Sequence, residues 1–371
     1  MTILITALIF LAVLFVLILV HEWGHYITAK KTGMRVDEFG IGFPPKLFGY
    51  QKGETEYTLN ALPIGGFVRI YGEDPTQVEN DPDRDRAFSA RPRWAQAIVL
   101  VAGVVMNIVL AWALFVVVFM LGVPTGVSEE EAGPNATLQV VEVTGTSVVR
   151  GQLPVNARIV AVALAEDEAT AITGLTPRTF TEFIQAAGTE PITITYALGD
   201  RTDVITATPQ VGVLEDRPDQ AAIGVRTVLV EHVQYGFLAA LQGATQQTVD
   251  ALVLIVVSIA GLLYNTASGT ADFSQVAGPI GIFNLVGDAA TVGISSLLLF
   301  TAVISLNLAI INLFPFPALD GGRLVIVGIE SLLRRPIDPI WTSRLNLLGF
   351  VLLIVLMIAV TYKDIIDLVG A

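Results

Sequence analysis

The sequence predicts a polytopic α-helical membrane protein with four transmembrane helices, a membrane-associated β-loop and one water-exposed α+β domain. Three observations carry this. Of 371 residues, 53% are hydrophobic and 15% charged, whereas soluble domains carry about 25% charged residues. Four apolar stretches, 3–20, 95–121, 296–314 and 345–361, approach the roughly 20 residues that cross about 30 Å of hydrocarbon. Between the second and third lies 122–236, with 15 Asp/Glu against six Arg, a net −9, and no long apolar run. The whole chain carries −13, which argues against a nucleic acid partner, because a phosphate backbone needs a basic face. With no cysteine, a disulfide framework, a thiolate metal site and a cysteine nucleophile are excluded.

The first stretch lacks the basic n-region and the small-residue cleavage site of a signal peptide, so it reads as a retained span, 1–32. Segment 33–94 follows. Its part 33–74 is rich in glycine, aromatic and β-branched residues and reads as paired strands, with turns at Phe43-Pro44-Pro45 and Pro63-Ile64-Gly65-Gly66. A polar linker, 73–86, leads to the second span, 95–121. In 122–236, β-type runs at 138–143, 158–164, 192–198 and 203–208 surround a helical stretch, 178–187, opened by Thr176-Pro177. Region 237–295 contains only fourteen consecutive apolar residues, 251–264. They rise about 21 Å, so this piece reads as an interfacial or re-entrant helix. The third span and a cytoplasmic helix fill 296–344, and the fourth span fills 345–371.

Lys/Arg distribution sets the orientation. Segment 26–94 carries ten and 318–344 carries four; positive-inside logic places both in the cytoplasm. The N-terminus and 122–236 then lie outside a cell membrane. A fifth span at 251–264 would put 318–344 outside, against its arginines.

His21-Glu22-Trp23-Gly24-His25 is H-E-x-x-H at the inner end of the first span. On a helix, positions i and i+4 share a face, so two imidazoles converge on one cation, with Glu22 as candidate general base. Ionisable groups at this depth are costly and by default functional. A catalytic zinc needs a third protein ligand and an open position. His232 is in the external region, so a carboxylate must supply that ligand, from Asp272, Asp288, Asp320 or Glu330. Asp320 is favoured. It follows Asn312-Leu-Phe-Pro-Phe-Pro-Ala-Leu, where two prolines break the third span at the level of the histidines, and broken backbone at membrane depth lines polar cavities. Taken alone, Asp320 would serve as N-cap for a helix at 322–333. A His₂Asp set also suits iron(II); the adjacent Glu22 favours hydrolytic zinc.

Through HEWGH and NLFPFPALDGG, the chain resembles the site-2 protease family of intramembrane zinc metalloproteases. It is most similar to the bacterial group with an external PDZ domain, which includes regulated proteases that cut anti-sigma factors. Pro63-Ile-Gly-Gly-Phe-Val resembles that group's membrane-associated β-loop, Gly103-Val-Val-Met-Asn107 its second-span motif without the proline, and Gly278-Pro-Ile-Gly-Ile the segment before its third span. The resemblance implies one Zn2+ held by His21, His25 and Asp320, with Glu22 as base and Asn307 and Asn312 binding substrate backbone. It implies transmembrane substrates already trimmed outside, such as anti-sigma factors or signal-peptide remnants. It also implies that 122–236 is a PDZ-like domain, able to bind peptide, although Ser147-Val-Val-Arg-Gly-Gln stands where the usual PDZ signature would be. Two other classes compete: an inert membrane scaffold that captures peptides through its PDZ-like domain, and a metal transporter using the same three ligands. The intact H-E-x-x-H argues against the first. The lack of repeated halves argues against the second.

Overall fold

A computed structural model describes residues 2–73, 81–199, 201–213, 217, 219–270 and 277–369. The chain divides into two compact units: 1–117 with 240–290 and 296–371, and 118–239 with 291–295.

The first unit is helical with one β element. Helix α1 spans Ile3–Lys31 and ends in two lysines. Strands β1 (Val36–Lys52) and β2 (Thr55–Ile70) follow. The chain reverses at Gly53-Glu54, where Gly53 has φ +64°. The two predicted turns are bends inside these strands. At Gly42, φ is +80°, and β1 changes its partners there. Residues 38–41 are flanked on one side by 66–69 and on the other by 56–59, so that Ile41 pairs with both Gly66 and Leu59, whereas 46–52 pairs with 55–60 alone. Among the described residues, 66–70 is thus an edge segment.

Met34, Val36 and Ile70 from this element pack into one cluster with Ala29 of α1, Phe88, and Ala95, Val99 and Leu100 of α2 (Arg93–Leu121). Each fully buried side chain of this size contributes about 1.5–3 kcal/mol. Polar ties surround the cluster. Glu54 accepts from Lys30 and Arg86; burial pushes its carboxyl up, but these two cations outweigh it and hold it below its ordinary value.

Helices α4 (Phe237–Ala267), α5 (Pro279–Val292), α6 (Ile294–Leu313), α7 (Asp320–Leu333) and α8 (Pro339–Val369) complete the helical set. Among the described residues, five helices are long and apolar enough to cross a membrane, against the four expected, and α4 is the additional one. The apolar count 251–264 underestimates it because the polar QGATQQT stretch is helical too. Thr245 and Thr248 return their hydroxyls to the carbonyls of Leu241 and Ala244, and Gln246 binds Asp250. Polar side chains satisfied in this way let the helix run 31 residues, about 46 Å. The chain is a multi-pass membrane protein.

The second unit is α+β. Its seven strands form one sheet in the order β3-β9-β4-β5-β7-β8, with β6 on β5. The predicted runs appear as β4 (Thr137–Val143), β5 (Arg158–Leu164), β7 (Ile192–Leu198) and β8 (Arg201–Ala207). β3 (Val123–Val127), β6 (Asp167–Thr173) and β9 (Val225–Val233) were not predicted. Alternation puts Ile192, Ile194 and Tyr196 inward, where they meet Phe180 and Ile184 of α3 (Pro177–Ala187). Thr176 caps α3 in a reciprocal capping box with Thr179, so that orphan N–H groups are satisfied before the apolar face begins.

Glycine sets the close approach of α1 and α2. A Cβ on Gly24 would lie 2.5 Å from the Ala102 carbonyl oxygen of α2. Gly24→Val is expected to cost about 1–3 kcal/mol by overpacking. Thermal unfolding of the purified protein in detergent reads this as a lower midpoint, and an unchanged midpoint would show that α1 and α2 can part freely here.

Candidate metal centre and active site

The site starts from α1. His21 and His25 are one turn apart on one face, and both are buried. Their rings meet edge to face at 4.8 Å. Helix α2 supplies the wall behind them through Val99, Gly103 and Asn107, four residues apart and so on one face. The Val99 carbonyl accepts from His25 Nδ1 at 2.8 Å. A Cβ on Gly103 would sit 2.5 Å from His25 Nε2 and 2.7 Å from His21 Cε1. Only a glycine leaves room for both rings.

Asp320 arrives from the other end of the chain. Helix α6 ends at Leu313, and the chain folds back through Pro315 and Pro317 with Ala318 at φ +75°. Cβ atoms on Gly321 and Gly322 would lie 2.2 Å from the carbonyl oxygens of Leu313 and Phe316. The two glycines are therefore needed for α7 to start hard against the end of α6. Helix α7 is then pinned twice. Arg323 pairs with Glu73 at 3.2 Å, and Glu330 pairs with Arg93 of α2 at 2.7 Å.

The outcome is a triangle of donor atoms. His21 Nε2 lies 3.1 Å from Asp320 Oδ2 and 3.1 Å from His25 Nε2, and His25 Nε2 lies 3.3 Å from Asp320 Oδ2. A tetrahedral cation with bonds of about 2.05 Å spaces its ligand atoms about 3.3 Å apart. The three donors fit a single small cation. His₂Asp among these atoms is also the one group of His/Asp/Glu with such convergence among the described residues.

Glu22 lies within electrostatic reach of both imidazoles and Asp320. Its Cγ would be 3.1 Å from a Cβ placed on Gly66, so the edge segment 66–70 runs past the candidate base. Asn312, near the end of α6, brings its amide nitrogen to 3.4 Å from His21 Nε2. Asn307 is not brought into the cluster: its amide donates to the Val303 carbonyl one turn back in α6, at 3.0 Å.

The other carboxylates weighed from the sequence fall elsewhere. Glu330 is paired with Arg93, Asp288 lies within α5, and Asp272 lies outside the described residues. As for capping, Leu319 occupies the cap position of α7 and Asp320 makes no cap hydrogen bond; its carboxylate is committed to the imidazoles instead. Sequence reasoning missed Asn107 as a site residue. Its amide nitrogen lies 3.3 Å from His21 Nδ1, and the available signal was the Gly103–Asn107 spacing.

The profile of Peptidase family M50 matches residues 9–356. The chain belongs to Peptidase family M50. Among relatives, the regulator of sigma-W protease RasP of Bacillus subtilis is 27% identical over 440 aligned positions, covering 97% of this chain and 98% of that protein. The zinc metalloprotease RasP of Oceanobacillus iheyensis is 28% identical, with 97% and 98% covered. A proposed zinc metalloprotease of Clostridium perfringens is 36% identical over 357 positions, with 94% and 95% covered. The resemblance read from HEWGH and NLFPFPALDGG is thereby borne out at the level of family.

The glycines give a direct test. Gly103→Ala and Gly321→Ala should each displace a ring or the carboxylate. Each should lower zinc affinity by about 10–100-fold, the range seen when ligand support is lost. Competition with a fluorescent chelator measures this, and wild-type affinity in both variants would mean the close contacts do not shape the centre.

Proposed function

We propose that this M50 peptidase is an intramembrane zinc metalloprotease that hydrolyses peptide bonds in transmembrane segments. The observation that carries the reading is the donor triangle of His21, His25 and Asp320, beside Glu22 and on helices apolar enough to span a bilayer. The three residues would hold one Zn2+, which supplies Lewis-acid polarisation and a water of lowered pKa when bound.

The chain's own residues do the rest. Glu22 takes the proton of the attacking water and passes it to the leaving amine. A substrate helix hides its carbonyls in i→i−4 hydrogen bonds, so it must be extended before attack. The edge segment 66–70, unpaired on its outer side among the described residues and passing Glu22, supplies strand partners for that extension. Asn312 holds the extended backbone beside the donor triangle, and Asn307 would join it only by releasing Val303.

Orientation follows from charge. Lys30 and Lys31 close α1, and the ten Lys/Arg of 26–94 place that end on the cytoplasmic side. His21 and His25 lie ten and six residues before Lys31, about 9–15 Å inside it. The second unit then faces outward as a PDZ-like domain and filters substrates by the size of their external part, as for an anti-sigma factor or a signal-peptide remnant. The single capped helix α3 packed on an antiparallel sheet supports that reading.

Two measurements test this. With a purified reporter helix, Glu22→Gln should retain zinc and lose cleavage by about 100-fold or more, whereas Asp320→Ala should lose zinc; equal cleavage by Glu22→Gln removes the proposed base. A reporter interrupted by Gly or Asn should be cut faster than an uninterrupted Leu helix of equal length. No difference would mean that unwinding is not part of the reaction.

A further inference from the structure

Asn107 is fully buried between α2, α1 and α6. Its backbone carbonyl accepts from Ser305 of α6 at 2.8 Å, which fixes its place. Its side chain carries an unusual load: the amide nitrogen faces His21 Nδ1 at 3.3 Å, while the buried amide oxygen has no hydrogen-bond partner. An orphaned buried carbonyl oxygen costs about 1–3 kcal/mol, so its retention calls for a reason.

The protons of the two imidazoles supply one. The Val99 carbonyl can only accept, so His25 carries its proton on Nδ1 and presents a lone pair on Nε2, toward the other donors. His21 differs. The amide NH₂ of Asn107 faces its Nδ1 and that of Asn312 faces its Nε2, and an amide NH₂ can only donate. Ligation needs the proton on Nδ1, and a proton there needs an acceptor. A half-turn of the Asn107 amide about its Cβ–Cγ bond exchanges nitrogen for oxygen in the same space and brings the unpartnered oxygen to Nδ1.

We infer that Asn107 is a positioning residue for His21, its amide turning by a half rotation so that the oxygen accepts from Nδ1–H and frees Nε2 for the metal. This rests on the zinc peptidase reading of the same centre. Val99 performs the equivalent service for His25 through a backbone carbonyl that cannot turn. The centre is thus built from one imidazole held by a backbone carbonyl and one held by a side-chain amide. The Asn107 amide meets the centre at His21 Nδ1, so its effect passes through His21.

The test uses the full-length protein in lipid with isotope-labelled histidine, read by ring-nitrogen NMR, beside zinc affinity from chelator competition. Three variants are compared: wild type, Asn107→Leu and Asn107→Asp. In the zinc-loaded wild type, His21 and His25 should both carry their protons on Nδ1. Asn107→Asp, whose carboxylate can only accept, should show Nδ1–H on His21 even without zinc and should retain zinc binding. Asn107→Leu, of similar size and without an acceptor, should lose affinity by about 10–100-fold. Should the leucine variant fail to fold, the wild-type and aspartate spectra decide the matter alone. A zinc-loaded wild type whose His21 proton never reaches Nδ1 overturns the inference, as does a leucine variant binding as tightly as the wild type. A wild type that takes up no zinc overturns the proposed function itself, and this inference with it.

Discussion

Bringing two imidazoles and a carboxylate into contact inside apolar surroundings is the constraint to which most of the helical unit answers. Each of these groups loses its water, and a polar group buried without a partner costs several kcal/mol. The convergence is sustained because each donor has a second contact that orients it: Val99 for His25, Asn107 for His21, and for Asp320 the start of a helix pinned by two ion pairs. Remove the convergence and there remain three isolated polar groups on apolar helices, an arrangement no membrane segment retains without a reason.

Glycine does the geometric work. Gly24 brings α1 and α2 together, Gly103 opens space for both rings, and Gly321 and Gly322 let α7 begin against the end of α6. In each case a single methyl group would occupy the space of a carbonyl oxygen or a ring. Small residues at helix contacts are the usual means of close approach in membranes, where no hydrophobic force between helices compensates for poor fit. Here the same device sets the distances within a polar cluster and not merely a crossing of two helices.

The β element is the second structural commitment. Residues 38–41 have partners on both sides, which leaves 66–70 as the outer segment, next to Glu22. A strand edge is a liability in a soluble protein because it recruits other chains. Placed beside a candidate base within a membrane protein, that same property would recruit an extended substrate under the proposed function. The anchoring cluster of Met34, Val36, Ile70 and Phe88 against α1 and α2 makes this edge a fixed part of the site.

By itself the sequence determined what local rules can reach. Composition and apolar runs dictated a multi-pass helical membrane protein. The i, i+4 spacing of His21 and His25 placed two imidazoles on one helical face. Thr176-Pro177 announced α3, and strict alternation announced β7. It failed where an outcome depends on partners distant in the chain. The apolar count stopped at fourteen residues in α4, because hydropathy does not register that Thr245 and Thr248 satisfy their own hydroxyls. The sequence favoured Asp320 from its proline-broken surroundings; tertiary structure then paired Glu330 with Arg93. It also gave Asn107 its place beside His21, whereas Asn307 turned back into its own helix. The physical reason is one of range: a turn or a cap is decided within four residues, but His21 and Asp320 are 299 positions apart, and only packing can say which side chains meet.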